Sequence, residues 1–226
     1  MRASHIKLTL TLPIIAALSA CGGGTTSGGG GGGGGGATTS YQTLSSSLEE
    51  RATRLGFADL EESDIDIAVL NDVPTTGSAN YSGELGISFF DPTTTGDNPG
   101  SVDELLEGGI IGEMTATANF TATGGTLSGS ATNFRDDENR AWSGSLALDG
   151  GEIVRQASDA NLPGGAVVVA GGIGGTLEDN TGADRVFDGA FFGGFTSSPD
   201  AIIGLAFGED AEDTGVENFV GLMLLE

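Results

Sequence analysis

Eight stretches of alternating side chains, each studded with glycine and separated by turn residues, constrain this chain more than anything else in it. In "GEMTATANFTAT", Met114, Ala116, Ala118 and Phe120 fall on one side and Thr115, Thr117, Asn119 and Thr121 on the other. "AWSGSLALDG" sets Trp142, Gly144, Leu146 and Leu148 against small or polar residues, and "RVFDGAFFGGF" aligns Phe187, Gly189, Phe191, Gly193 and Phe195. "AIIGLAFGE" offers Ile203, Leu205 and Phe207 as one face, and "NFVGLMLLE" offers Phe219, Gly221, Met223 and Leu225. "NYSGELGISFF", "GTLSGSATNF" and "GAVVVAGGIGG" complete the set. A period of two is the mark of a strand with one buried face. The breaks are turn chemistry: "TGG" at 123–125, "RDDEN" at 135–139, "SDANLPGG" at 158–165, "LEDNTGAD" at 177–184, "SSPD" at 197–200 and "GEDAEDTG" at 208–215.

Short turns without intervening helices predict an all-β fold, a soluble eight-stranded antiparallel up-and-down β-barrel over residues 77–226. Glycines inside strands suit the bends that closure requires, and phenylalanines alternating with glycines suit a small filled interior. Thr, Ser and Asn on the outward faces argue against a membrane-spanning barrel, as do the sparse Tyr41, Tyr81 and Trp142 and the final Glu226. Residues 41–76 read as a helix and a lead-in. Ser46 and Glu49 have capping-box spacing, Leu48, Ala52 and Leu55 share a helical face, and Gly56 is placed to end the helix. Such a helix would plug or flank the barrel. Ile65, Ile67 and Val69 then alternate as a further short strand would.

Composition removes several kinds of chemistry. His5 and Cys21 are the only histidine and cysteine, so beyond residue 21 there is neither imidazole nor thiol. The usual zinc, haem and copper sites, Ser-His-Asp and Cys-His catalysis, and an intrachain disulfide are all excluded there. The formal charge is −24, and removing Arg2 and Lys7 from the eight bases leaves six against 32 acids, a net −26. Such a surface repels nucleic acid and anionic lipid. The chain is expected to be no enzyme, to use no cofactor and to be a monomer.

Residues 1–20 carry Arg2 and Lys7, then an apolar run from Leu8 to Leu18 that is too short for a stable span. The ending "LSAC" resembles the bacterial lipobox, which implies cleavage before Cys21 and acylation of its sulfur and amino group. Two or more chains anchor stably, at about 0.8 kcal/mol per buried methylene. Gly22 after the cysteine points to the outer membrane. Residues 21–40 follow as a glycine-rich tether, with nothing to bury against the cost of ordering.

A lipobox, a glycine tether and then "YSGELG", "MTATANFTATGGTLSGSATNF" and "VFDGAFFGGFTSSPDAIIGLAFGED" together resemble the β-barrel domain of the transferrin-binding protein B and factor H binding protein group of surface lipoproteins. The resemblance covers residues 77–226. It implies an eight-stranded barrel on the outer surface of a Gram-negative cell, exported by a dedicated outer-membrane translocator, that binds an extracellular protein or small ligand. It assigns no contact residue. The other functional class is an acidic coat lipoprotein without a specific ligand. Exposed apolar loops would favour binding, and the most apolar junctions are "LEGGII" at 106–111 and "NLPGGAVVV" at 161–169.

Two sharper motifs lose to plainer readings. Asp136, Asp137 and Glu138, and Glu209, Asp210, Glu212, Asp213 and Glu217, have calcium-type ligands without calcium-loop spacing, so they read as solvated turns. In "AVVVAGGIGGTLEDN", Gly172 and Gly174 begin a dinucleotide fingerprint, but Leu177 holds the third glycine position and no helix follows. The stretch reads as a bending barrel strand.

Overall fold

The computed structural model describes residues 39–56, 68, 70, 72–90, 101–157, 164–196, 201–212 and 215–226. Eight strands form one closed antiparallel barrel in chain order: β1 (Gly77–Phe90), β2 (Ile110–Thr121), β3 (Gly124–Asp136), β4 (Ala141–Gln156), β5 (Ala166–Glu178), β6 (Asp184–Phe195), β7 (Ile202–Glu212) and β8 (Gly215–Leu225). All eight strands expected for the barrel are present. Closure joins β1 to β8, with Gly83 opposite Leu225 and Phe90 opposite Asn218.

The interior is filled with side chains. Phe134, Phe187, Phe191, Phe195, Phe219, Leu85, Ile87, Ile110 and Met114 are all fully buried, and most of the interior belongs to one apolar cluster. In β6 the Phe-Gly alternation has a steric cause: a Cβ on Gly189 would lie 2.8 Å from the Phe219 ring. Bulges bend the wall on β3, between Thr132 and Arg135 opposite Ile111 and Glu113 of β2, and on β4 between Asp149 and Glu152. At the first, Asn133 of β3 takes a φ of 57° and its amide donates to Glu113 Oε2 at 2.6 Å.

β7 lies in the opposite phase to the sequence expectation. Ile202 and Ala206 join the interior, whereas Ile203 and Leu205 belong to a second cluster outside the barrel and Phe207 is half exposed. Both faces of β7 are apolar, so alternation alone does not set the phase. Volume does: added Cβ atoms on the inward Gly204 and Gly208 would meet Met223 at 2.6 Å and Phe219 at 2.8 Å.

The second cluster is the seat of two helices, α1 (Tyr41–Arg54) and α2 (Val102–Leu106). Leu44, Leu48 and Ala52 of α1 and Val102, Leu105 and Leu106 of α2 pack on Ile111, Ile203, Leu222 and Leu224, the outward residues of β2, β7 and β8. The helix therefore flanks the barrel. It begins earlier than the capping-box spacing indicated: Ser40 is the N-cap, its Oγ accepting from the Thr43 N–H at 3.2 Å, and Ser46 and Glu49 lie inside the helix. Gly56 follows at φ 75°, as expected. α2 corrects the expectation of strands without intervening helices: it lies between β1 and β2, capped by Ser101 accepting from the Glu104 N–H.

The seam where β1 meets β8 is held from α1 by charge. Arg51 Nε lies 3.0 Å from Glu84 Oε2, Ser47 donates to Glu84 Oε1 at 2.8 Å, and Arg54 pairs with Glu226. Burial pushes the Glu84 carboxyl above its usual range, against the Ser47 hydrogen bond and the Arg51 charge.

Candidate binding surface

Antiparallel order sorts the connections onto two ends. The β3–β4, β5–β6 and β7–β8 reversals share one end, and the β2–β3 reversal lies at the other. The first end is acidic. Asp137 and Glu138 occupy its β3–β4 turn and Asp179 its β5–β6 turn, and the sequence places Asp213 in the third. The β2–β3 turn, Ala122 and Thr123, carries no charge.

Asp136, at the end of β3, and Asp179 are committed to local structure. Asp136 accepts from the Arg140 backbone N–H at 2.8 Å and from Arg140 Nε at 2.7 Å. Burial pushes its carboxyl up, but the Arg140 and Trp142 donors outweigh that and hold it below the usual range. Asp179 Oδ1 accepts from the Ala183 and Thr181 backbone N–H groups and from the Thr181 hydroxyl, which lowers its pKa and closes an Asx turn. Among the described residues no three His, Cys, Asp or Glu side chains converge on a metal-sized point. The side chains of Asp210, Glu212, Asp213 and Glu217 lie outside the described set.

The barrel mouths are closed by stacked side chains. At the acidic end, Arg185 reaches inward from β6 with its guanidinium carbon 4.3 Å from the Phe89 ring centroid and 5.6 Å from that of Trp142. Those two rings stack at 6.1 Å. At the other end Phe195 packs between Tyr81 and Phe120, and the lead-in adds the buried Ala68 and Val73. Arg155 ties that lead-in down by donating to the carbonyls of Leu70, Val73 and Pro74. The expected strand at Ile65, Ile67 and Val69 lies outside the described residues, as does Cys21, the expected acylation site.

The chain enters beside the acidic end. Thr39 donates to Glu113, the Tyr41 backbone N–H donates to Asn139 Oδ1 at 2.8 Å, and the Tyr41 hydroxyl donates to the Leu106 carbonyl at 2.7 Å. Burial, with Asp137, Glu49 and Asp136 adding to it, pushes the Tyr41 hydroxyl up to about 12. A cleft of about 400 Å³ lies here, lined by Ser40, Tyr41, Gln42, Asp137, Glu138 and Asn139. Its walls are mainly polar and offer no aliphatic anchor.

The two junctions singled out from the sequence are not exposed surfaces. Leu106, Ile110 and Ile111 are buried, the first and last of them beneath α1, and Ala166, Val167 and Val169 are buried too. Asn161, Leu162 and Pro163 lie outside the described residues. The most exposed large apolar side chains are elsewhere, on the outer wall of β5 to β8, with Phe90 of β1 and Val154 of β4 less exposed. Phe192 is 49% exposed and Phe207 50%, with Ala170, Ala190, Leu205 and Val220 half-buried around them. Alternation offers Leu205 and Phe207, with Ile203, as the apolar face of β7, and it does not single out Phe192, Ala170, Ala190 or Val220. By contrast the outer wall of β2 and β3 carries hydroxyls, pairing Thr115 with Ser130 and Thr117 with Ser128. The β5 glycines Gly172 and Gly174 sit mid-strand, opposite Asp149 and Ala147 of β4, with no helix after them.

No family model matches this chain, and neither curated proteins nor solved structures yield a match.

Proposed function

We propose that this chain is an outer-membrane surface lipoprotein, anchored through acyl chains on Cys21, whose barrel is a binding module of the transferrin-binding protein B-like kind. The carrying observation is the uncovered apolar wall around Phe192 and Phe207. A barrel meant only for solubility has no use for two half-exposed phenylalanines in the middle of paired strands. The packed interior leaves no room for an enclosed ligand among the described residues, so recognition falls to the outer surface. With its glycine tether, the N-terminal pattern supports attachment with reach.

Two measurements test this reading. Mass spectrometry of the mature N-terminus is expected to show a diacylated or triacylated Cys21; an unmodified cysteine or cleavage elsewhere would remove the anchor. Immobilised protein is expected to retain a component of host fluid or spent medium. Retention of nothing across low and high salt would hand the molecule to the coat reading.

A further inference from the structure

We propose that the outer wall of β5 to β8, beside α1, binds a basic amphipathic helix of a partner protein. This names the contact face and partner chemistry of the binding module proposed above and rests on that reading. The wall is laid out in rungs. Ala170, Phe192 and Leu205 stand side by side across β5, β6 and β7, and the next rung sets Ala190, Phe207 and Val220 across β6, β7 and β8. Leu205 also packs against the cluster beneath α1 and α2. The exposed wall is therefore the uncovered continuation of a layer already used for helix packing.

Its rim is acidic on two sides. Asp188 pairs with Glu209 on the rung toward the acidic end, and both are exposed. On the β4 side, exposed Asp149 and Glu152 stand opposite Gly172 and Ala170. The arginines are occupied elsewhere. Arg51 and Arg54 clasp Glu84 and Glu226, Arg135 and Arg140 border the β3–β4 turn, Arg155 holds the lead-in, and Arg185 is buried in the mouth. An apolar strip edged by carboxylates fits a partner with an apolar stripe edged by bases.

The fold favours a helix as occupant. A closed barrel has no strand edge for backbone pairing, so a partner must engage through side chains. α1 shows the mode, laying Leu44, Leu48 and Ala52, one turn apart, on the same layer. A second copy of this chain would bring two carboxylate rims face to face, and an anionic lipid surface meets the same repulsion.

The test uses the full chain carrying Cys21→Ser, which prevents acylation, and a fluorescent peptide helix with a leucine stripe flanked by lysines. Its twin carries glutamates for the lysines. Anisotropy is expected to show binding of the lysine peptide and at least about tenfold weaker binding of the twin. The double variant Phe192→Ser/Phe207→Ser is expected to weaken the lysine peptide about tenfold or more while still melting cooperatively, with only a modest fall in melting temperature, since both rings are half exposed. Asp188→Asn with Glu209→Gln is expected to flatten the salt dependence. Equal binding by wild type and the phenylalanine variant overturns the proposal. So does a wild-type dimer in sedimentation that the phenylalanine variant abolishes, which would give the wall to a second copy. A partner retained from host fluid equally by both proteins sinks this inference and leaves the binding module standing.

Discussion

Glu113 shows how much of this fold depends on single side chains outside the core. It lies on the outer wall of β2, accepts from Thr39 and from the Asn133 amide, and those donors hold its carboxyl below the usual range. A carboxyl lowered by folding contributes stability that is present above its unfolded pKa and lost as pH falls through the folded one. Glu113→Gln is therefore expected to lower the melting temperature slightly near neutral pH. The gap should close in acid below the ordinary carboxylate range, as paired melts over a pH series would show; a gap that widens in acid contradicts the assignment. Gly175 depends on backbone space instead. Its φ is 151°, and a Cβ would stand 2.2 Å from the Ser145 carbonyl oxygen. Gly175→Ala is expected to cost about 1–3 kcal/mol in denaturant unfolding. Its place in a strand was legible as a glycine in an alternating run, but the reason for that glycine was not. The obstructing oxygen belongs to β4, and only the register brings Ser145 opposite Thr176. The Arg185 stack on Phe89 and Trp142 was hidden for the same reason, since its parts come from three strands far apart in the chain.

Among elements, the strands were legible because period two and turn residues are local signals, and eight of them at short spacing leave little besides a barrel or meander. The phase of β7 was not legible. Both of its faces are apolar, and the deciding quantity is the bulk of Phe219 and Met223 on the neighbouring strand. α2 is only five residues long, too short to show a helical period. The start of α1 was misplaced because several serines compete for the cap, and Ser40 wins by having Thr43 in reach. What the wall gains from α1 is measurable. Leu48 is wholly buried between helix and barrel, so Leu48→Ala is expected to destabilise by about 2–5 kcal/mol. Equilibrium unfolding in urea would register it; a change within error would mean that the helix is not docked in solution.

For the whole molecule, charge and closure matter most. With six bases against 32 acids beyond residue 20 and several of the acids gathered at one end, self-repulsion opposes the compact state. Screening relieves it. The melting temperature is expected to rise as sodium chloride goes from low millimolar to about 0.5 M, because the Debye length shrinks well below the spacing of surface charges. A melting temperature that falls across that series would show that the pairs of Arg51, Arg54 and Arg140 outweigh the repulsion.

The β1–β8 seam sets an order of events. Gly83 finds its partner Leu225 only after every intervening strand exists, so the first strand waits for the last. Until β8 forms, one edge of β1 has no strand to pair with. Closure then works as a clasp: the finished barrel comes apart only by opening a paired seam, so the last contact made in folding also guards the fold against unravelling.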